Sequence, residues 1–295
     1  MDADSISPLS LWLLLPVLIA VVAIGRWLAW PLWRLVLIWI PEFWHLLLQV
    51  PLPDTLSWRI GRRWPRFTAW ITGRVDPNRF AGLPLTLIVL LALYLVSLAA
   101  GVLEAVLENE ELVALDSHIN QALTVMRDDR FVHLFHWISG MGHTNTLAIV
   151  LTVAILLLWA QGRLADLYGL ILAAGASSTV TWIGKYVIDR ERPASLTFAE
   201  ALSPSFPSGH ATGSMAVYGF ITFVVARQLL GPRQQFEVVY WGLTLVGLIA
   251  FSRMVLSLHY FSDVAAGLLI GAFGVVAGIA LAEYRRERDA EPAQP

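Results

Sequence analysis

The sequence predicts an all-α membrane protein, a polytopic helical bundle with a six-span core and an N-terminal membrane-associated extension. The first reason is composition. Of 295 residues, 57% are hydrophobic and 14% are charged, and the mean hydropathy is +0.65, whereas soluble domains carry about 25% charged residues. The second reason is that the apolar residues form runs of roughly 20, the length at which a helix crosses the hydrocarbon core.

Apolar runs begin close to the N-terminus. Residues 10–24 are interpreted as an uncleaved anchor, because their acidic flank with Asp2 and Asp4 lacks the positive charge of a signal peptide. Residues 30–70 mix tryptophan, proline and arginine with leucine. This mixture is typical of the membrane interface, although 31–50 also fit a second span. Six further spans are predicted at about 83–103, 144–160, 166–186, 210–228, 237–258 and 264–283.

Arginine clusters predict the topology, because cytoplasmic loops are enriched in lysine and arginine. Five clusters share one side when the spans alternate: Arg26 with Arg34, Arg62 to Arg79, Arg163, Arg227 with Arg233, and Arg285 to Arg288. The chain is divided into an extension at 1–80, a six-span core at 81–284 and a polar cytoplasmic tail at 285–295. Three polar stretches then share the opposite face, at 185–193, 207–210 and 252–263.

These three stretches contain the residues expected to carry chemistry. Ionisable residues within a membrane are costly and usually functional. Lys185, Arg192 and Arg253 supply positive charge, and the planar fork of arginine suits two phosphoryl oxygens at once. Ser208 and Gly209 stand where a helix is expected to begin, so a hydroxyl and free backbone N–H groups would face an anion. The combination predicts a phosphate site.

Two histidines complete the predicted site. His259 precedes Asp263 by four residues, and a carboxylate beside an imidazole orients it and stabilises its positive charge. With His210 in the second stretch, one imidazole would attack phosphorus and the other would protonate the departing oxygen. A single histidine or arginine near the interface is more often structural, so the prediction rests on the combination.

The third stretch is also predicted to contain a turn. An unbroken helix over 237–283 would measure roughly 70 Å, more than twice the hydrocarbon thickness. We therefore expect the chain to turn around His259 to Ser262, with Ser262 as the N-cap and Asp263 in the first turn of the last helix. Arg253 is expected in the last turns of the preceding helix.

Other polar residues have simpler interpretations. A solvated loop face is expected for Asp189, Arg190 and Glu191. Packing at the interface is expected for the histidines of the loop 104–142, since no tight metal-ligand spacing appears: His118, His133, His136 and His143. Without cysteine the chain has no disulfides or thiolate metal sites. The net charge of -2 gives no reason to expect a nucleic-acid partner.

In this order and spacing, the three stretches resemble the three-part signature of the type 2 phosphatidic acid phosphatase superfamily. The matching residues are Lys185, Arg192 and Pro193, then Pro207 to His210, then Ser252, Arg253, His259 and Asp263. The resemblance covers about 81–284 and implies a bacterial-like membrane lipid phosphatase with six spans. The first 80 residues lie outside it.

The resemblance also implies a role for each residue. His259 is implied as the nucleophile that forms a phosphohistidine, Asp263 as the residue that orients it, and His210 as the general acid. The implied phosphate-binding residues are Lys185, Arg192, Ser208, Gly209 and Arg253. No cofactor or metal ion is expected, because members of this family work without a metal ion.

The expected function is that of an integral membrane lipid phosphatase. Its expected substrate is a lipid phosphate or diphosphate: undecaprenyl diphosphate, phosphatidic acid or phosphatidylglycerol phosphate. We expect it in a bacterial inner membrane, surrounded by membrane lipids, with the site on the periplasmic face. Two alternatives stay open, a lipid phosphotransferase that uses the same intermediate and a non-catalytic lipid transporter or scaffold.

Overall fold

The described part of the chain is helical and contains no strands. A computed structural model describes residues 8–48, 63–76, 79–193 and 203–290, and for 8–14 and 40–48 it describes the backbone only. The helices are α1 (Pro8–Leu48), α2 (Pro65–Arg74), α3 (Leu83–Glu108), α4 (Glu110–Ala122), α5 (Asp129–Gly140), α6 (Thr144–Ala160), α7 (Leu164–Ile188), α8 (Gly209–Gln228), α9 (Pro232–Val255) and α10 (Phe261–Ala290). The predicted all-α fold is confirmed.

Seven helical stretches of the described chain are long and apolar enough to cross a membrane: Leu15–Trp39, Leu83–Glu108, Asp129–Ala160, Leu164–Ile188, Gly209–Gln228, Pro232–Val255 and Phe261–Ala290. This number agrees with the predicted anchor and six further spans. The anchor at 10–24 and most of 31–50 belong to one helix, α1, which is about 62 Å long. Within 31–48 no separate second span forms, and residues 49 and 50 lie outside the described residues.

The N-terminal helix contacts the rest of the bundle through α9. Arg26 donates hydrogen bonds to the carboxylate of Glu237 at 2.6 and 2.9 Å. The rings of Trp30 and Phe236 lie 5.1 Å apart between centroids. One ion pair and aromatic packing therefore join the extension to the bundle.

The centre of the bundle lies where α10 packs against α7 and α8. A Cβ at Gly271 would lie 2.7 Å from the backbone oxygen of Thr212, and one at Gly278 would lie 2.5 Å from that of Gly169. Small residues allow helix backbones to approach this closely. Phe220 is fully buried beside this contact. The close approach determines the distance between α10 and α8, both of which carry predicted site residues.

Ion pairs join the helices at the opposite end of α7 from the predicted site. Asp166 is 2% exposed and accepts hydrogen bonds from Arg163 at 2.9 Å and from Arg286 in α10. Along α7, Asp166 and Lys185 are separated by about 29 Å, at 1.5 Å per residue. That distance is close to the thickness of the hydrocarbon core, so the two ends of α7 can lie at opposite membrane faces.

The predicted turn between the last two helices is confirmed, with one correction. Helix α9 ends with Arg253 in its last turn, and α10 begins with Asp263 in its first turn. Ser262 is not the N-cap, because it lies inside α10 and its hydroxyl donates to Asp116 in α4. Instead, Oδ2 of Asp263 accepts a hydrogen bond from the backbone N–H of Tyr260 at 2.9 Å. The carboxylate thereby satisfies one of the free donors at the helix start.

Candidate active site

The ends of four helices bring the predicted site residues to one end of the bundle. They lie as follows: Lys185 in the last turn of α7, Arg192 in the loop after it, Ser208 to His210 at the start of α8, Arg253 in the last turn of α9, His259 in the next turn and Asp263 in the first turn of α10. The backbone N–H of Ser208 donates to the backbone oxygen of Asp263 at 3.0 Å. This bond fixes the start of α8 against the start of α10.

His259 lies between a guanidinium and a carboxylate. Its Nε2 is 3.3 Å from Nη1 of Arg192. Because arginine can only donate, Nε2 holds its lone pair towards Arg192 and the proton is on Nδ1. Nδ1 is 3.5 Å from Oδ2 of Asp263, a distance too long for a well-formed hydrogen bond, and it has no hydrogen-bond partner among the described residues. Catalytic hydrogen bonds are often this long before substrate binds.

Burial keeps the imidazole of His259 neutral. The residue is 3% exposed, and this desolvation lowers the pKa of His259 to about 4. The carboxylate of Asp263 raises the pKa by less than burial lowers it, and the positive charges of Arg253 and Arg192 lower it further. At neutral pH, Nε2 is therefore an unprotonated nitrogen that can act as a nucleophile.

Two of the predicted cations are held by backbone oxygens. Nζ of Lys185 donates to the oxygen of Pro204 at 2.5 Å, and Nε of Arg192 donates to that of Ser203 at 2.8 Å. Nη1 of Arg192 also donates to the oxygen of Leu258 at 2.7 Å. Arg192 is thereby held next to the imidazole.

Near the site, three further buried polar groups have no hydrogen-bond partner among the described residues: the hydroxyls of Ser208 and Thr181, and Nε of Arg253. Nη1 of Arg253 donates to the hydroxyl of Ser139 at 2.5 Å. Buried polar groups are normally hydrogen-bonded, so these groups are free to bind a ligand. Thr181 is one turn before Lys185 in α7 and was not predicted from the sequence.

His210 contacts the loop before α6. A Cβ at Gly142 would lie 3.4 Å from Cδ2 of His210, and the ring centroids of His210 and His143 are 6.0 Å apart. Nδ1 of His143 accepts a hydrogen bond from the backbone N–H of Asn145 at 3.3 Å, at the start of α6. His143 therefore lies next to His210, at the edge of the site.

Comparison with known proteins finds a match to the part of the chain that contains these residues. Residues 166–287, which run from the first turn of α7 to the last turns of α10, match the model of the PAP2 superfamily. The predicted family resemblance is confirmed over this stretch, whereas residues 81–165, to which it was also expected to extend, lie outside the match. This stretch, called the PAP2 region below, contains every residue predicted for the site.

Similar proteins include phosphatidylglycerophosphatase B of Bacillus subtilis (strain 168), which is 23% identical over 172 residues, 58% of this chain and 84% of that protein. The crystal structure of a transmembrane PAP2 type phosphatidylglycerolphosphate phosphatase from Bacillus subtilis matches with a TM-score of 0.57 and 20% identity. The match covers 70% of this chain and 98% of that chain. This likeness shows a shared transmembrane fold. The crystal structure of Aquifex aeolicus LpxE matches with a TM-score of 0.43 and 22% identity, covering 57% of this chain and 93% of that chain.

Arg190, within the PAP2 region, contradicts the prediction of a solvated loop face. Its side chain is 13% exposed and donates to Oδ1 of Asp263 at 2.6 Å and to Oδ2 of Asp116 at 2.8 Å. Burial lowers the pKa of Arg190, but the hydrogen bond that it donates to Asp116 and the charge of Asp263 raise the pKa by more, so the net pKa is raised. The neighbouring Asp189 and Glu191 are exposed, as predicted.

Asp116 is a buried carboxylate outside the PAP2 region. It is 1% exposed and lies in α4, in the acidic loop that the topology places on the same side as the site. That placement was the one indication in the sequence that Asp116 lies near the site, because Asp116 belongs to no motif. Among the described residues, no group of three histidine, aspartate or glutamate side chains is arranged to hold a metal ion.

Proposed function

We propose that this protein is an integral membrane lipid phosphatase that hydrolyses a phosphate ester or diphosphate of a lipid through a phosphohistidine intermediate. The observation that carries the proposal is the arrangement of His259, with an unprotonated Nε2 beside Arg192 and a protonated Nδ1 facing Asp263. A neutral, oriented imidazole next to a cation is suited to attack a phosphoryl group.

In the first step, Nε2 of His259 forms a bond to phosphorus, and the bond between phosphorus and the lipid oxygen breaks. His210, in its protonated form, gives a proton to that departing oxygen and becomes neutral. The imidazole of His259 becomes positively charged in the phosphohistidine, and Asp263 stabilises this charge through Nδ1–H. In the second step, water attacks phosphorus, His210 takes up a proton from the water, and the N–P bond breaks to release phosphate and neutral His259.

The chain supplies the groups that would hold the phosphoryl oxygens. Lys185, Arg192 and Arg253 carry positive charge, while the hydroxyl of Ser208 and the backbone N–H of Gly209 lie at the start of α8. Preorganised donors and cations around a transferring phosphoryl group supply most of the catalysis of this reaction. Because these three cations can neutralise the phosphoryl charge, we propose that the reaction needs no metal ion.

The substrate is proposed to be a membrane lipid whose headgroup reaches the site from the bilayer surface. The similar Bacillus subtilis protein is a phosphatidylglycerophosphatase, which favours phosphatidylglycerol phosphate among the candidates. Phosphatidic acid and undecaprenyl diphosphate offer the same phosphoryl chemistry. We further propose that the core at 81–284 carries the activity. The arginines of the opposite end favour a periplasmic site in a bacterial inner membrane.

Phosphate release by the purified protein in detergent tests the proposal. Each of the three lipids is supplied with and without EDTA. We expect phosphate release from at least one lipid, at a rate that EDTA does not lower. His259→Ala should abolish release without lowering the melting temperature by more than a few degrees. The control is His133→Ala, which changes an exposed histidine of α5 and should retain wild-type turnover.

Other outcomes identify the alternatives. Near-normal turnover by His259→Ala would disprove the histidine mechanism, and loss of release in EDTA would disprove metal independence. Labelled phosphate that appears on a second lipid instead of free in solution would identify a phosphotransferase. Tight lipid binding without turnover of any of the three lipids would identify a transporter or scaffold.

A further inference from the structure

Three charged side chains form a buried chain behind His259. Oδ1 of Asp263 accepts a hydrogen bond from Nη1 of Arg190 at 2.6 Å, and Nη2 of Arg190 donates to Oδ2 of Asp116 at 2.8 Å. The side chains of both aspartates are 0% exposed. One guanidinium therefore bridges two carboxylates, one of which faces the imidazole.

Asp116 also holds the first turn of α10 through Ser262. Its Oδ1 accepts from the backbone N–H of Ser262 at 3.0 Å, and its Oδ2 accepts from the hydroxyl of Ser262 at 2.5 Å. The guanidinium of Arg190 donates to the same hydroxyl at 2.7 Å and stacks 4.4 Å from the ring centroid of Tyr260. The turn that carries His259 and Asp263 is thus fixed by a helix from outside the PAP2 region.

The charges of this cluster matter as much as its geometry. Arg190 alone would neutralise Asp263 and would repel a positive charge on His259. Asp116 compensates, because two carboxylates and one guanidinium leave a net charge of -1. Buried charges interact strongly because solvent screens them little. A cluster of net charge -1 stabilises a positive imidazole more than a neutral cluster would.

We propose that Asp116 and Arg190 are positioning residues for the nucleophile: they hold the Asp263 carboxylate in place and keep the cluster behind His259 at a net charge of -1. This inference rests on the proposed function of His259. Neither residue touches the reacting atoms, and both act through Asp263.

The other titratable and charged groups around His259 come from separate elements. They are Lys185 of α7, Arg192 of the following loop, His210 of α8 and Arg253 of α9. Each is positive or neutral, so the cluster provides the compensating negative charge. The side chains of Asp116 and Arg190 hydrogen-bond to Ser262, to Asp263 and to each other, and these bonds involve none of those four residues.

A charge series tests the inference. Asp116→Asn raises the net charge of the cluster to zero, and the acidic limb of the kcat/KM profile should move to lower pH by about 1 unit. Arg190→Gln lowers the net charge to -2, and the limb should move to higher pH by a similar amount. The double variant restores -1, and its limb should return to the wild-type position. Glu191→Gln changes an exposed neighbour and should shift nothing.

Turnover and stability add two further readouts. Asp116→Asn should lower kcat roughly tenfold with little change in KM, since it weakens stabilisation of the charged intermediate. Melting temperatures are measured for every variant. If Arg190→Gln does not fold, Arg190→Lys replaces it. This variant keeps the net charge of the cluster at -1, so the acidic limb should stay at its wild-type pH, whereas Asp116→Asn should still move it.

The two proposals fail in different ways. NMR titration of the His259 imidazole reports the same shifts without turnover, so it tests the inference even in an inactive protein. A wild-type protein that releases no phosphate would refute the proposed function alone. Two outcomes would refute the charge role of Asp116 and Arg190. In one, both single variants shift the pKa of His259 in the same direction; in the other, the double variant shifts it further from wild type than either single variant does.

Discussion

Replacing Gly267 by alanine is expected to lower turnover strongly and stability only modestly. Gly267 is in α10, opposite the start of α8, and a Cβ there would lie 2.6 Å from the backbone oxygen of Ser208. Ordinary contacts begin at 3.4 Å, so this oxygen would have to move by about 0.8 Å. Ser208 and His210 would move with it. Because a misplacement of about 1 Å can lower a rate roughly 100-fold, we expect kcat to fall about 10- to 100-fold.

The stability of the Gly267→Ala variant should fall by no more than about 2 kcal/mol. Overpacking costs about 1–3 kcal/mol, and alanine returns about 1 kcal/mol of helix propensity. Phosphate release at saturating lipid and thermal unfolding in the same detergent measure both effects. The matched control is Gly175→Ala in α7, where a Cβ meets nothing within 4 Å, so kcat should be unchanged. Wild-type kcat in Gly267→Ala would refute the claim that Gly267 sets the position of Ser208 and His210.

Two further predictions concern stability. Below pH 6.5 the wild type should lose stability relative to His259→Gln. The reason is that His259 takes up a proton in the unfolded chain at this pH, whereas in the folded protein its pKa is about 4 and it stays neutral. The loss should reach about 3 kcal/mol at pH 4, and parallel melting curves for the two proteins would contradict it. Asp166→Asn should lower stability by about 2 kcal/mol, since Arg163 and Arg286 lose a buried partner. Its kcat should match wild type, because Asp166 lies about 29 Å from Lys185. A lower kcat per folded molecule would contradict this and would show that the two ends of α7 are coupled.

Much of the fold followed from composition and span length. Apolar runs of about 20 residues allow few structures in lipid, and the hairpin followed because 237–283 are too long for one span. The motif residues were predicted at the correct helix ends, since Ser208 and Asp263 have the types that helix starts favour. Ser262 was wrongly predicted as the N-cap because the helix begins one residue earlier, at Phe261. Its hydroxyl instead donates to the carboxylate of Asp116.

The buried network was not predictable from local sequence. Arg190 and Asp116 are 74 positions apart, and no helical period or motif spacing connects them. In the sequence, Arg190 stands between two carboxylates, Asp189 and Glu191, which is typical of a solvated loop. Only the tertiary packing of α4 against α10 shows that one of these three charged side chains points inwards.

The hairpin between α9 and α10 has a consequence for the order of folding. His259 and Asp263 are four residues apart, so they can meet as soon as this hairpin forms. Arg192 reaches His259 across 67 positions, and Asp116 reaches Ser262 across 146. Contacts between distant segments form more slowly because more chain entropy is lost. During membrane insertion, the proposed nucleophile and its carboxylate are therefore expected to meet before the proposed phosphate-binding residues reach them. The proposed activity should appear only when α4 and the loop after α7 have docked.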